Sequence, residues 1–186
     1  METRTVREQL LDYAQNLIML RGYNGFSYRD LAELVGVKTS SIHYYFPSKE
    51  DLVLEAINVY SSESLAEMYA IDSSQSADLR LDRYARMFGK VLGDGDQICL
   101  CGMLAADIAS LPEHIKQAVQ GFFRSNETWL GKLLAEGKKQ GTLVVNGEPE
   151  AAGRVLYAAY QGTVLSSRLF GTKGRLEEVA RAYKVR

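Results

Sequence analysis

Cys99 and Cys101 are the only cysteines of the chain, one residue apart, with His114 downstream. Thiolates and an imidazole are soft metal ligands, but a closed structural site takes four donors and these supply at most three. A one-residue gap within a helix also fits disulfide geometry poorly. What the pair offers is thiol chemistry: an adduct, a sulfenic acid, or a bond to another group. Cys99 is expected in the first turn or cap of a helix beginning near Leu100, where the helix N-terminus stabilises a thiolate. Cys101, followed by Gly102 and Met103, is expected to point into packing. The plainer alternative is two small buried side chains, since cysteine is among the most buried residue types. Ser40 and Ser41 stand beside His43, but all three belong to one short helix and do not form a nucleophile and its base. No phosphate-binding glycine loop, nucleophile elbow or paired His/acid motif occurs. The chain does not read as an enzyme, and no metal or cofactor is implied.

The elements that carry these residues follow from composition and period. The 186 residues are 46% hydrophobic and 24% charged, which suits a folded protein and excludes a disordered one. The longest apolar candidate, Ala151 to Leu165, is cut by Arg154, Gln161 and two glycines, which argues against a membrane span. The start METRTVREQLLDYAQ is polar and charged, without a secretory signal, and a reducing, cytoplasmic setting is expected. The apolar period is near 3.6 throughout, with Leu143-Val144-Val145 the only strand-like run. An all-α chain of about nine helices is expected. Their spans are about Thr5–Arg21, Tyr28–Leu34 behind a Ser27 cap, Thr39–Phe46, Ser48–Ala70 and Leu79–Leu92. A turn over Gly93–Gln97 leads to Leu100–Ala109, a helix from Pro112 to Gln140, Pro149–Phe170 and Gly174–Tyr183.

Net charge is −1, from 22 basic and 23 acidic residues, and residues 1–50 hold six of each sign. Bulk charge therefore makes no case for nucleic acid. The case comes from a motif. A helix-turn-helix needs a small residue in its first helix, a residue tolerating positive φ in the turn, and apolar residues where the helices meet. Ala32 supplies the first and Gly36 the second; Leu31, Val35, Val37, Ile42 and Tyr45 supply the contacts. With Ile42 and Tyr45 inward, Thr39, Ser40, His43 and Tyr44 face outward, with Lys38 just ahead of the helix. Short hydroxyls and an imidazole suit base edges, while Tyr hydroxyls and Lys suit phosphates. The alternative is a solvated helix with an aromatic hook into the next one.

The run from Gly25 to Val37, followed by Ser40-Ser41-Ile42-His43-Tyr44-Tyr45-Phe46-Pro47-Ser48-Lys49-Glu50-Asp51-Leu52, resembles the DNA-binding domain of the TetR family of bacterial repressors. The resemblance is specific over residues 5–55; beyond them only the size and the helical pattern match. It implies a DNA-binding domain over residues 1–47 and a ligand-binding and dimerisation domain over residues 48–186, with helix 4 as connector. It implies double-stranded operator DNA as partner, with Thr39, Ser40, His43 and Tyr44 at bases or nearby backbone, Lys49 on a phosphate, and Tyr28 and Arg29 near the DNA. Two positions depart from the family pattern. His43 stands where a tyrosine is usual, and Lys38 where a serine-like cap is usual, which leaves Thr39 to cap helix 3. Arg29, Lys38 and Lys49 would then gather on one face.

In helix 8, Ala151, Ala152, Ala158, Ala159, Gly162 and Ser166 permit close helix approach, while Leu156, Tyr160, Val164 and Leu169 are bulky. Apolar residues on more than one side of a helix mean cover on more than one side. With the family's habit of pairing through its last two long helices, this implies a homodimer through helices 8 and 9. Helices 4 to 8 are expected to enclose a pocket for an unidentified small-molecule effector. Its candidate lining is Tyr60, Met68, Met87, Val91, Met103, Phe122, Phe123, Trp129 and Tyr157, since Met and aromatic side chains line adaptable apolar sites. Each of these also serves as ordinary core. Asp107, on a mostly apolar helix, either anchors a polar group of that ligand or faces water. The functional expectation is a ligand-responsive repressor, with a thiol sensor acting through Cys99 as the alternative.

Overall fold

Three helix starts in the first fifty residues carry the same device. Thr5 and Glu8 bond reciprocally, side chain to backbone, at the start of α1 (Val6–Arg21). Ser27 and Asp30 do so at α2 (Tyr28–Val35), and Ser48 and Asp51 at α4 (Lys49–Tyr69). Each box satisfies two backbone donors that a helix N-terminus would otherwise leave open. Between the last two boxes lies α3 (Thr39–Tyr45), which has none.

The computed structural model describes residues 4–93, 97–172 and 174–185. Residues 94–96 of the expected Gly93–Gln97 turn lie outside them. Contacts divide the chain into two units. The first comprises the N-terminal segment to Ser62 together with Leu100–Gly121. In it α1 packs against α2 and against α6 (Leu100–Ala106), and α2 packs against α3. Leu10, Ala14 and Ile18 on α1, Leu31 on α2, Ile42 on α3 and Leu52 on α4 are all fully buried. Each of the leucines and isoleucines contributes about 2 kcal/mol by leaving water. Helix α6 ends at Ala106, shorter than the expected Ala109, and a 3-10 turn over Ile108–Ser110 follows.

The second unit comprises Glu63–Cys99 and the chain from Phe122 onward. It holds α5 (Ala77–Gly89), most of α7 (Glu113–Gln140), α8 (Pro149–Phe170) and α9 (Arg175–Ala182). Helix α5 packs against α8 and α9. An aromatic core fills the unit: Tyr84 stacks on Trp129 at 5.4 Å and on Phe88 at 5.9 Å, and meets Tyr160 at 5.3 Å. Helices α7 and α8 cross glycine on glycine. A Cβ on Gly153 would stand 2.6 Å from the Gly131 nitrogen and 2.8 Å from the Glu127 oxygen, so nothing larger fits. Leu143-Val144-Val145 yields a single bridge, Leu143 to Lys184, with Val144 N–H donating to Tyr183 O at 2.7 Å.

Candidate nucleic-acid interface

Helix α2 stops at Gly36, whose φ of 75° is left-handed and favours glycine. The Gly36 and Val37 N–H groups both donate to Ala32 O, at 2.9 and 3.1 Å, and turn the chain into α3. Only Ile42 of α3 is buried. Two expectations are corrected here. Tyr45 does not turn inward: it is 36% exposed and meets Tyr44 edge-on, while Phe46, at 1%, takes the core position. Thr39 does not cap α3. Lys38, in extended backbone, holds the N-cap position without a side-chain bond, so Thr39 is already the first helical residue. Its hydroxyl is exposed along with Ser40, His43 and Tyr44, the last 82% exposed.

Tyr28 opens α2 and is half-buried. Its hydroxyl reaches Phe46 O at 2.9 Å and Ser48 O at 2.5 Å, tying α2 to the junction of α3 and α4. Burial, with the Asp51 charge adding, pushes its phenol up to about 12. The Tyr28 ring meets His43 edge-on at 4.8 Å, and His43 Nδ1 lies 3.2 Å from Pro47 O. Arg29 is exposed and pairs with Glu33 at 3.3 Å. Lys49 is turned into the protein: Nζ donates to Phe26 O at 2.5 Å and lies over the rings of Phe26 and Tyr23, at 4.2 and 4.9 Å. Burial lowers its pKa, opposed by the charges of Asp30 and Asp107.

The pocket candidates fall in different units. Tyr60, Met103 and Asp107 belong to the first; Met87, Val91, Phe122, Phe123, Trp129 and Tyr157 belong to the second. Phe123 meets Tyr157 edge-on at 5.1 Å, and Trp129 stacks in the aromatic core. Met87 lines an open groove of about 430 Å³ with Ile71, Arg83, Arg86 and Lys90. Asp107 does not simply face water, because its carboxylate accepts a hydrogen bond from the Tyr23 N–H. Sequence reasoning missed Tyr84, Phe88 and Asn126. Tyr84 donates to Asn126 Oδ1 at 2.9 Å, and Asn126 donates to Phe122 O, which satisfies a polar pair inside the core. Tyr84 lies at the helical spacing of Leu81 and Phe88, the signal that could have placed it inward.

Both cysteines are fully buried and neither is in a disulfide. Cys99 immediately precedes α6, and Gln161 Nε2 lies 3.5 Å from its sulfur and 2.8 Å from Tyr157 Oη. On α8, Ala152, Leu156, Tyr160 and Val164 are buried. Val155, Ala158, Gly162, Leu165 and Leu169 form a separate exposed stripe at alternating spacings of three and four. The exposed residues of α9 include Glu177, Glu178 and Arg181. Among the described residues no helix is long and apolar enough to cross a membrane.

Residues 10–56 match the family of bacterial regulatory proteins named tetR, and residues 84–183 match the tetracyclin repressor-like C-terminal domain. The chain is 27% identical over 167 residues to the HTH-type transcriptional repressor NemR of Escherichia coli K12, covering 88% of this chain and 84% of that protein. It is 24% identical over 153 residues to the transcriptional regulator AcuR of Cereibacter sphaeroides, covering 80% and 70%. A TetR-family regulator from Agrobacterium tumefaciens superposes with a TM-score of 0.90 at 32% identity, over 97% of this chain and 98% of that one. One from Legionella pneumophila gives 0.86 at 31%, over 98% and 97%. The C-terminal match alone spans more than half the chain, and with the helix-turn-helix match before it this polypeptide belongs to the TetR family: it is a DNA-binding transcriptional regulator, not an enzyme.

Proposed function

We infer that the protein is a homodimeric, ligand-responsive repressor that reads operator DNA with α3. The observation that carries this reading is the outward face of α3, where Thr39, Ser40, His43 and Tyr44 are exposed on a helix whose buried residue is Ile42. These side chains suit base edges and nearby phosphates in a major groove. Repression is supported by the names of two relatives, the HTH-type transcriptional repressors NemR and DhaR. The stripe from Val155 to Leu169 supports pairing through α8, because its spacing is that of a helix-on-helix seam. The charged outer face of α9 supports a lesser share for that helix beside α8. An effector bound in the second unit is supported by buried polar atoms, Tyr160 Oη and Gln161 Oε1, which have no hydrogen-bond partner among the described residues. Helix α4 runs unbroken from Lys49 to Tyr69, through the boundary between the units at Ser62. A shift of α4 on effector binding would move the two α3 helices off half-sites roughly 34–36 Å apart, a shift between two dimer populations.

The test is selection of a duplex from a random-sequence pool by the wild-type protein, followed by titration. Tyr44→Ala should weaken binding to the selected duplex by about tenfold with the helical circular dichroism unchanged. Failure to enrich any duplex, or a Tyr44→Ala affinity equal to wild type, would sink the assignment of α3.

A further inference from the structure

Asp107 occupies the N-cap position of the 3-10 turn Ile108–Ser110 but makes no side-chain cap bond there. Its Oδ2 instead accepts a 2.7 Å hydrogen bond from the backbone N–H of Tyr23, 84 positions earlier. Ser110, at the end of the same turn, accepts through Oγ from Asn24 Nδ2 at 2.9 Å. Two side chains of one short segment therefore hold two successive residues of the loop between α1 and α2. Gly22 completes the fit. Its φ is 78°, and a Cβ there would collide with Asp107 Oδ2 and stand 3.5 Å from Met103 Cε. Backbone conformation and the approach of the carboxylate both call for glycine at this position.

The loop is held from its other end by Lys49, which donates to Phe26 O. Ser27, the next residue, caps α2. The loop therefore sets where α2 begins and how it leaves α1. Helix α2 passes that direction to α3 through their packing and through the Tyr28 bonds to Phe46 and Ser48. We propose that Asp107 is a positioning residue for DNA recognition: by gripping the Tyr23 N–H it fixes the α1–α2 loop, and with it the angle at which α3 is presented. The proposal rests on the reading of α3 as the DNA-contacting helix and adds a residue outside the helix-turn-helix, on the segment that follows α6.

A charge-assisted bond to a backbone donor is among the stronger single hydrogen bonds, and its loss is read as about a tenfold change. The experiment titrates full-length Asp107→Ala and Asp107→Asn against the duplex selected by wild type and against a scrambled duplex. Asp107→Ala should bind the selected duplex about tenfold more weakly, with affinity for the scrambled duplex and its salt slope unchanged, so that the discrimination ratio falls. Asp107→Asn keeps a carbonyl oxygen that can accept from Tyr23 and should recover most of the ratio. Asp107→Ser keeps a polar group at the start of the 3-10 turn but cannot reach Tyr23, and serves where the alanine variant does not fold. An unchanged ratio in the truncated variants, or Asp107→Asn no better than Asp107→Ala, overturns the proposal. If wild type enriches no duplex, the DNA reading of α3 fails instead. Amide exchange at Tyr23, protected in wild type and Asp107→Asn and faster in Asp107→Ser, then decides the grip itself.

Discussion

The Lys49 ammonium donates to the Phe26 carbonyl oxygen at 2.5 Å while lying 4.2 Å from the centre of the Phe26 ring. A lysine whose only task was a phosphate contact would extend into solvent; this one closes the loop between α1 and α2. Lys49→Met, which keeps the stem and removes the charge, should therefore cost about 1–2 kcal/mol of stability through the lost hydrogen bond and cation–π contacts. Urea denaturation measures this. A variant as stable as wild type but weaker on DNA would assign Lys49 to phosphate alone.

Leu169 is 77% exposed and Leu165 59% on the outer stripe of α8. Leu169→Glu should leave the monomer's helical content intact and shift light scattering at micromolar concentration from dimer to monomer. A fully dimeric Leu169→Glu protein, with Leu165→Glu also dimeric, would move the interface off this stripe.

The capping boxes of α1 and α2 make an acid-labile contribution. The Thr5 backbone N–H, then the Thr5 hydroxyl, lowers the pKa of Glu8 from 4.5. The Ser27 hydroxyl, then its backbone N–H, lowers that of Asp30 from 3.8. A carboxylate whose pKa is lower folded than unfolded stabilises the native state above its unfolded value, and that contribution is lost as pH falls through the folded value. Asp30→Asn should therefore lower the thermal midpoint at pH 7, and the gap to wild type should shrink as pH falls below 3.8. A gap that is the same at about pH 2 as at pH 7 would show that the charge of Asp30 contributes nothing.

Both thiols are fully buried, Cys99 beneath Gln161 and Cys101 within α6. N-ethylmaleimide should label neither in the native protein on the timescale on which it labels both in urea, and DNA binding should survive the treatment. Rapid native labelling of Cys99 that releases the duplex, absent in Cys99→Ser, would establish the thiol sensor in its place.

Helix positions were largely legible because breakers and the 3.6 period act locally. The span Pro149–Phe170 is the same in sequence and structure, since Pro149 at the first turn and Gly171 in left-handed conformation bracket it. The end of α6 was not legible: nothing in Ala105 to Ala109 announces the break at Ala106, where Asp107 turns toward a residue 84 positions away. The inward residue after Ile42 was misread for a similar reason. Tyr45 lies three positions after Ile42 and fits the period, but α3 ends at Tyr45, and the extended backbone at Phe46 swings that ring into the core. The stripe on α8 illustrates a third limit. Small and bulky apolar residues on two sides could be seen in the sequence, but only the packing of Leu156, Tyr160 and Val164 reveals which side is already covered.

The crossing of α7 and α8 at Gly131 and Gly153 is a fulcrum. With no side chain between the backbones, the two helices can tilt about that point, but they have nowhere to slide. A slip of one helical turn, about 5.4 Å, would carry Pro149 or Tyr157 to the place of Gly153, and neither ring fits where a single Cβ does not. Whatever motion the second unit undergoes, α7 and α8 keep their register there, and displacement grows with distance along each helix from the crossing.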